Sequence, residues 1–119
     1  MADEAATETE LEPERVAELI AAGAEVIDVR TPYEYEAGRL PGARNVEINE
    51  LTAAAGSIPR ERPVLFCCRT GNRSGMAAQA FREAGYDAYN IAGGLVAWVA
   101  DGRPIEPEDG ELRTPLPPS

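Results

Sequence analysis

The feature that most constrains the fold is an uninterrupted apolar run from Pro63 to Cys67. The run has the length of a β-strand but lacks the alternation of polar and apolar residues found where one face of a sheet is solvated. Continuous apolar strands are typical of parallel sheets, because helices cover both faces of such sheets. The run therefore predicts the central strand of a mostly parallel sheet.

Helical and strand patterns alternate along the rest of the chain. A helix is predicted from Pro13, with an apolar stripe of Val16, Leu19 and Ile20 and a stop at Gly23. Further strands are predicted at residues 25–29, 43–46 and 88–91, and helices or helical turns at 32–37, 51–55, 74–85 and 95–101. This alternation predicts an α/β fold in which helices flank the sheet.

The two ends of the chain differ in composition from its middle. Residues 1–12 carry five acids and no base, and residues 106–119 carry four acids, one base and several prolines. Neither end has an apolar stripe. We therefore expect a flexible acidic tail at residues 1–10, a folded domain at 11–105 and a Pro-rich acidic tail at 106–119.

Composition excludes several kinds of site and partner. The chain has no histidine, which excludes cysteine–histidine dyads, Ser-His-Asp triads and histidine-ligated metal sites. We expect no metal and no cofactor. The net charge of −10 argues against nucleic-acid binding, which requires neutralisation of phosphates.

The sequence also favours a cytoplasmic location without a membrane partner. No apolar run approaches the ~20 residues that span a bilayer. The acidic start of the chain lacks the basic and apolar regions of a signal peptide. The two cysteines, Cys67 and Cys68, are adjacent, so a disulfide between them would not cross-link distant parts of the fold. This suits a reducing compartment.

A loop with anion-binding composition follows the apolar run, where sites in parallel sheets form. Cys68 begins this loop, and a helix is predicted to begin just after it, offering unpaired N–H groups and partial positive charge. Gly71 permits an unusual backbone conformation, and the loop's arginines add fixed charge. We therefore predict that Cys68 is a preformed thiolate nucleophile. The predicted substrate-binding residues are Arg69, Thr70, Gly71, Asn72, Arg73 and Ser74.

Four segments, in order, resemble the rhodanese family of sulfurtransferases between about Pro13 and Pro104. The loop at residues 68–74 is similar to the family's six-residue active loop, which starts at its nucleophilic cysteine. The other three segments are Val26–Arg30 with Glu34 and Tyr35, Gly38–Asn45 with Arg39 where histidine is common, and Asn90–Trp98. The resemblance implies a rhodanese-like three-layer fold.

The resemblance also implies a sulfur relay. Cys68 would take the outer sulfur of a donor such as thiosulfate or a persulfide, and pass it to cyanide, a thiol or a sulfur-acceptor protein. Arg69 would bind the donor's sulfonate or a partner's acidic group, and Arg73 would hold the loop. In the family, Asp28, Arg30 and Asn45 look structural, with Arg30 and Glu34 as a plausible ion pair, and Trp98 is most simply a core residue.

The adjacent cysteines leave alternatives open. Counted from Cys67, five residues precede Arg73, as in cysteine-dependent phosphatases and arsenate reductases, although no acid within the loop is available to protonate a leaving alcohol. A non-enzymatic binding module is a second alternative, because some rhodanese-like domains serve as scaffolds. Cys67 is otherwise interpreted as a buried strand residue. If partly exposed, it would be able to attack a Cys68 persulfide or to pair with Cys68 in a strained disulfide.

Overall fold

Five parallel strands form one sheet in the structure, a computed structural model that describes residues 9–114. The strands are β1 (Glu10–Leu11), β2 (Glu25–Asp28), β3 (Arg44–Asn45), β4 (Val64–Cys67) and β5 (Ala88–Ile91), in the order β1-β5-β4-β2-β3. The helices are α1 (Pro13–Ala21), α2 (Pro32–Ala37), α3 (Leu51–Ala54), α4 (Asn72–Glu83) and α5 (Gly94–Ala100), and the 3₁₀ turns Ile48–Glu50 and Ala55–Ser57 flank α3. The α/β fold with a parallel sheet is confirmed.

Strand β4 lies at the centre of this sheet. It pairs with β2 on one side, where Ile27 faces Phe66, and with β5 on the other. All four of its residues are fully buried, as the apolar run predicts. Because side chains alternate across a strand, Leu65 and Cys67 point to one face of the sheet.

The two faces of the sheet carry separate cores. On one face Phe66 packs against Phe81 of α4, with ring centroids 5.0 Å apart, and α3 covers the remainder. On the other face Leu65 and Cys67 share a core with Val16 of α1 and Trp98 of α5. The fold therefore has three layers, and Trp98 is the core residue that was expected. Within residues 9–114 no helix combines the length and the apolarity that crossing a bilayer requires.

The N-terminal end of the domain differs from the prediction. Glu10, assigned from sequence to a flexible tail, lies in β1 and pairs with Asn90 of β5. Its neighbour Leu11 is buried in the core. Residues 1–10 have an acidic composition without apolar periodicity, which explains why β1 was not predicted. Residues 1–8 of the predicted tail lie outside the described residues.

The C-terminal end also differs from the prediction. Residues 105–113, here called the C-terminal strap, lie against the domain although they were mostly assigned to a tail. Arg39 and Glu106 form an antiparallel bridge, and the Glu111 N–H donates to the Ala37 carbonyl at 2.9 Å. Leu112 packs against the core that contains Trp98. Residues 115–119 of the predicted tail lie outside the described residues.

Candidate active site

Cys68 lies at the carboxyl end of β4 with its sulfur enclosed by the loop that follows. The residue is 1% exposed. Its Sγ lies 3.1 Å from the Gly71 amide nitrogen, 3.5 Å from that of Ser74 and 3.3 Å from Ser74 Oγ. A cluster of donors around one sulfur favours a negative charge there, because hydrogen bonds to an ionised group are stronger than those between neutral groups.

The loop closes on the sulfur because Gly71 adopts a left-handed backbone. Gly71 has a φ of 99° and precedes the first residue of α4. This conformation costs a side-chain-bearing residue energy but is open to glycine. Both the N–H of Gly71 and that of Ser74, in the first turn of the twelve-residue helix α4, point to Cys68 Sγ. The helix N-terminus therefore adds a partial positive charge near Cys68 Sγ.

The start of α5 fixes the other side of the loop. The Leu95 N–H donates to the Cys68 carbonyl at 2.9 Å, and the Val96 N–H donates to the Arg69 carbonyl at 3.0 Å. Gly94 makes this approach possible, since a Cβ there would lie 2.6 Å from the Cys68 carbonyl oxygen. The loop is thus held between two helix N-termini.

Arg73 is bound to a buried carboxylate of α2. Its two terminal nitrogens each lie 2.9 Å from an oxygen of Glu34, whose side chain is fully buried. Burial alone raises the pKa of Glu34, but hydrogen bonds from Arg73 and Thr31 outweigh it and lower that pKa below its ordinary value. The hydrogen bond to Glu34 likewise raises the pKa of Arg73. Arg73 therefore ties the active loop to α2.

The predicted ion pair between Arg30 and Glu34 is wrong. Arg30 pairs with Asp28 at 2.7 Å, and both side chains are fully buried. Arg30 also donates to two main-chain carbonyls, of Gly38 at 2.7 Å and of Glu34 at 3.4 Å. Burial lowers the pKa of Arg30, but the contact with Asp28 outweighs it and leaves this pKa raised. The Glu34 carboxylate instead accepts hydrogen bonds from Arg73 and Thr31.

Asp28, Arg30 and Asn45 together organise the loops after β2 and β3. Asn45 Nδ2 donates to the main-chain carbonyls of Asp28 at 3.0 Å and of Arg30 at 2.9 Å. None of the three hydrogen-bonds to Cys68 Sγ among the contacts of residues 9–114. Their geometry agrees with the structural role expected for them.

The remaining predicted substrate-binding residues form the rim of the loop. Thr70 and Asn72 are exposed, whereas Arg69 is half-buried. Arg69 Nε lies 3.5 Å from the Leu112 carbonyl oxygen of the C-terminal strap, a long contact. The structure therefore brings Gly71 and Ser74 onto the sulfur and leaves Arg69, Thr70 and Asn72 around it.

Cys67 faces the opposite side of the sheet. It is fully buried in the core with Leu65 and Trp98. Burial raises the pKa of its thiol well above the ordinary value, so Cys67 is neutral at physiological pH. Cys67 accordingly lies outside the loop that surrounds Cys68, as its interpretation as a strand residue requires.

The sequence did not give the correct role of three residues beside the site. Glu34 was assigned the wrong partner, and Asn90 and Glu10 were assigned no role. Asn90 is 1% exposed and lies in β5, and its side chain contacts Ser74, Gly71 and Glu10. A buried polar residue needs hydrogen-bond partners, so an asparagine within the strand Ala88–Ile91 was the available signal.

Comparison with known proteins identifies the family. The rhodanese-like domain family matches residues 12–101, which include the whole of the sheet from β2 to β5 and the loop after Cys68. The chain belongs to this family. Its structure is similar to that of a rhodanese-related protein from Thermoplasma volcanium, with a TM-score of 0.76 and 28% identity over 81% of this chain and 95% of the other.

Named sulfurtransferases are among the relatives of this rhodanese-like protein. It is 34% identical to a sulfurtransferase of Allochromatium vinosum over 71% of this chain and 80% of that protein. It is 31% identical to the thiosulfate sulfurtransferase GlpE of Pseudomonas aeruginosa over 82% of this chain and 86% of that protein. An uncharacterized protein of Bacillus subtilis, YqhL, is 41% identical over 63% of this chain, and the match spans 60% of its length.

Proposed function

We propose that this protein is a sulfurtransferase that moves sulfane sulfur from a donor to a thiophilic acceptor through a persulfide on Cys68. The observation that carries the proposal is the pair of amide donors around Cys68 Sγ, those of Gly71 and Ser74, with the Ser74 hydroxyl 3.3 Å away. A nucleophile in this setting needs no histidine base, and the chain has none. The similarity to GlpE supports thiosulfate as the first donor to test.

The first half-reaction loads the sulfur. The Cys68 thiolate attacks the outer sulfur of thiosulfate, a bond forms between Sγ and that sulfur, and the sulfur–sulfur bond of the donor breaks. Its electron pair leaves with sulfite, and the negative charge of Cys68 passes to the outer sulfur of the persulfide. The loop amides and the N-terminus of α4 stabilise the anion at each stage. Arg69, on the rim, is the residue we assign to the donor's sulfonate.

The second half-reaction transfers the sulfur from Cys68 to the acceptor. A thiolate or cyanide attacks the outer sulfur, the bond to Cys68 Sγ breaks, and its electron pair regenerates the Cys68 thiolate. The acceptor carries the sulfane sulfur away. This cycle requires a free thiol, and both cysteines are free. We therefore place the reaction in a reducing compartment such as the cytoplasm.

Phosphatase or arsenate reductase chemistry at Cys67 is not supported by the geometry. Such chemistry requires Cys67 as a thiolate within an anion-binding loop. Cys67 is instead fully buried on the other face of the sheet, with the pKa of its thiol raised by burial. A non-enzymatic binding module is equally disfavoured, because Cys68 and the donors that surround it are all in place.

The decisive experiment measures persulfide formation by intact mass. Wild-type protein, Cys68→Ala and Cys67→Ala are each incubated with excess thiosulfate and desalted. We expect a gain of one sulfur atom in wild type and in Cys67→Ala, a loss of that sulfur on addition of cyanide, and no gain in Cys68→Ala.

The same three proteins are then tested for release of phosphate from an aryl phosphate. Turnover that survives Cys68→Ala but not Cys67→Ala would replace sulfur transfer by phosphatase activity. If wild type neither gains sulfur from thiosulfate or a small persulfide nor releases phosphate, the binding module is the correct interpretation.

A further inference from the structure

A buried asparagine connects the nucleophile's loop to the first strand of the sheet. Asn90 Oδ1 lies 2.6 Å from Ser74 Oγ, and Asn90 Nδ2 lies 3.0 Å from the Gly71 carbonyl oxygen and 2.8 Å from Glu10 Oε1. Ser74 and Gly71 are both contacts of Cys68 Sγ. Asn90 therefore contacts two of the residues that surround the sulfur without touching the sulfur itself.

The orientation of the Asn90 amide is fixed by its surroundings. Both acceptors near Nδ2, the Gly71 carbonyl and the Glu10 carboxylate, require an N–H donor opposite them. Turning the amide over would place its oxygen against both acceptor oxygens, with a hydrogen bond to neither. Oδ1 therefore faces Ser74 and accepts a hydrogen bond.

The Ser74 hydroxyl has one hydrogen and two acceptors. Asn90 Oδ1 at 2.6 Å and Cys68 Sγ at 3.3 Å both lie within reach of this hydrogen. A hydroxyl donates one hydrogen at a time, so the two acceptors compete for it. While Ser74 donates to Asn90, it presents a lone pair and not a hydrogen to the sulfur.

We infer that Asn90 is a positioning residue that sets the direction of the Ser74 hydroxyl, and that Glu10 of β1 holds Asn90 in place. Asn90 competes with the resting Cys68 thiolate for this hydrogen, and takes it without competition when the charge leaves Sγ. The hydroxyl thus has a partner in both states of the sulfur. Neither Asn90 nor Glu10 was assigned a role by the motifs of the loop.

The consequence for the reaction rests on the proposed function. When sulfur is loaded, the negative charge moves from Sγ to the outer sulfur, and Sγ no longer needs the hydroxyl hydrogen. Asn90 then receives it, which favours the loaded state over the thiolate. The N-terminal strand in this way contributes to the balance between the two states.

The experiment is a double-mutant cycle on the pH dependence of alkylation of Cys68 by iodoacetamide. Wild type, Ser74→Ala, Asn90→Ala and the double variant are compared, with the exposed Asn49→Ala as the control substitution. Asn90→Ala should lower the midpoint pH by about half a unit more in the Ser74 background than in the Ser74→Ala background. The contact with Gly71 is lost in both backgrounds, so the difference isolates the hydroxyl.

Equal shifts in the two backgrounds would overturn the inference, because Asn90 would then act through Gly71 alone. Alkylation needs no sulfur donor, so this result does not depend on whether thiosulfate loads the protein. A wild type that fails to form a persulfide but shows the coupling removes the proposed function and keeps the positioning role.

Glu10 provides a second test that does not disturb the core, because this side chain is exposed. Glu10→Ala and Glu10→Gln remove the same charge, but only the glutamine retains an acceptor for Asn90 Nδ2. We expect a lower midpoint for Glu10→Ala than for Glu10→Gln. Identical midpoints would show that β1 does not hold Asn90.

The effect on the loaded state is tested by measuring sulfur loading at a pH well above every alkylation midpoint. The ionisation of Cys68 then does not differ between the variants. There Asn90→Ala should load sulfur from thiosulfate several-fold more slowly than wild type, with a smaller effect in the Ser74→Ala background. Equal loading rates in wild type and Asn90→Ala would overturn the part of the inference that concerns the persulfide.

Discussion

Glu34 is a carboxylate buried within the domain that depends on an arginine of the active loop. Both of its oxygens accept hydrogen bonds from Arg73, and its side chain is fully buried. It also completes a capping box with Thr31 at the start of α2. One side chain therefore joins the beginning of a helix to the loop that surrounds Cys68.

Replacing this carboxylate should weaken the fold in a pH-dependent way. We expect Glu34→Gln to lower the free energy of unfolding at neutral pH by roughly 2 kcal/mol, since it removes the charge that Arg73 faces. The folded-state pKa of Glu34 is lowered, so its stabilisation is full above the unfolded-state pKa of about 4.3 and is lost as pH falls through the folded-state pKa. In urea unfolding experiments between about pH 6 and pH 3, the difference in free energy of unfolding between wild type and Glu34→Gln should become smaller as the pH falls.

The matched control for this prediction is Glu36→Gln, on the same helix but exposed. It should change the free energy of unfolding by less than about 0.5 kcal/mol at any pH in the range. A gap for Glu34→Gln that stays constant with pH would show that the Glu34–Arg73 pair does not stabilise the fold through its charge.

Single residues mark the limit of what the sequence could predict about the site. The place of Cys68 followed from a buried strand, a glycine and a helix start, all of which are local patterns. The partner of Glu34 could not be predicted in this way, because Arg30 and Arg73 are both arginines and Arg30 is nearer to Glu34 in the sequence. Only the three-dimensional structure shows that Arg30 forms its ion pair with Asp28. Long-range side-chain pairing of this kind has no local pattern.

At the scale of elements, the start of α5 determines the position of the active loop. Gly94 has a φ of 65°, and a Cβ there would lie 2.5 Å from the Arg69 carbonyl oxygen. The N–H groups that follow Gly94 donate to the carbonyls of Cys68 and Arg69. The helix and the loop are in backbone contact, and a side chain would force them apart.

Gly94→Ala should therefore impair loading of sulfur onto Cys68 as well as stability. Its matched control is Gly102→Ala, which has a similar φ of 79° but no atom within 4 Å of a new Cβ. Both should lose about 1–2 kcal/mol of stability from the left-handed backbone. Only Gly94→Ala should lower the rate of persulfide formation, by on the order of tenfold or more, measured by intact mass.

A similar loss of rate in Gly102→Ala would mean that loss of stability, and not displacement of the loop, slows loading.

Elements of regular length were predicted well because apolar periodicity and glycine stops identify them. The prediction started α4 at Ser74, whereas the helix begins at Asn72, directly after the left-handed Gly71. Helix ends depend on backbone geometry that the sequence specifies only loosely.

At the scale of the whole molecule, the C-terminal strap closes one side of the domain. Backbone atoms of Gly38 and Glu111 lie so close that a Cβ on Gly38 would be 2.6 Å from the Glu111 carbonyl oxygen. The strap continues past Leu112, which packs on the core, to Arg113, whose guanidinium lies 4.4 Å from the centre of the Tyr33 ring. An acidic, proline-rich composition predicted a tail because it carries no periodicity, yet the strap is held mainly by backbone contacts.

Gly38→Ala should release the strap, since Gly38 has an extended backbone at φ 178° and the new methyl group adds only the clash. Amide hydrogen exchange should show faster exchange at Glu111, whose N–H donates to Ala37 at 2.9 Å. Gly56→Ala is the control, because no atom lies within 4 Å of a new Cβ there. Unchanged protection of Glu111 in Gly38→Ala would show that the strap tolerates the added methyl group.

The sheet also separates the two cysteines, and this has a consequence for oxidative damage. Cys67 and Cys68 are the only cysteines of the chain, and they face opposite layers of the fold. A sulfenic acid formed at Cys68 therefore has no neighbouring thiol with which to condense. We expect its reduction to depend on a thiol from another molecule, so that the thiols of the surroundings set the protein's resistance to peroxide.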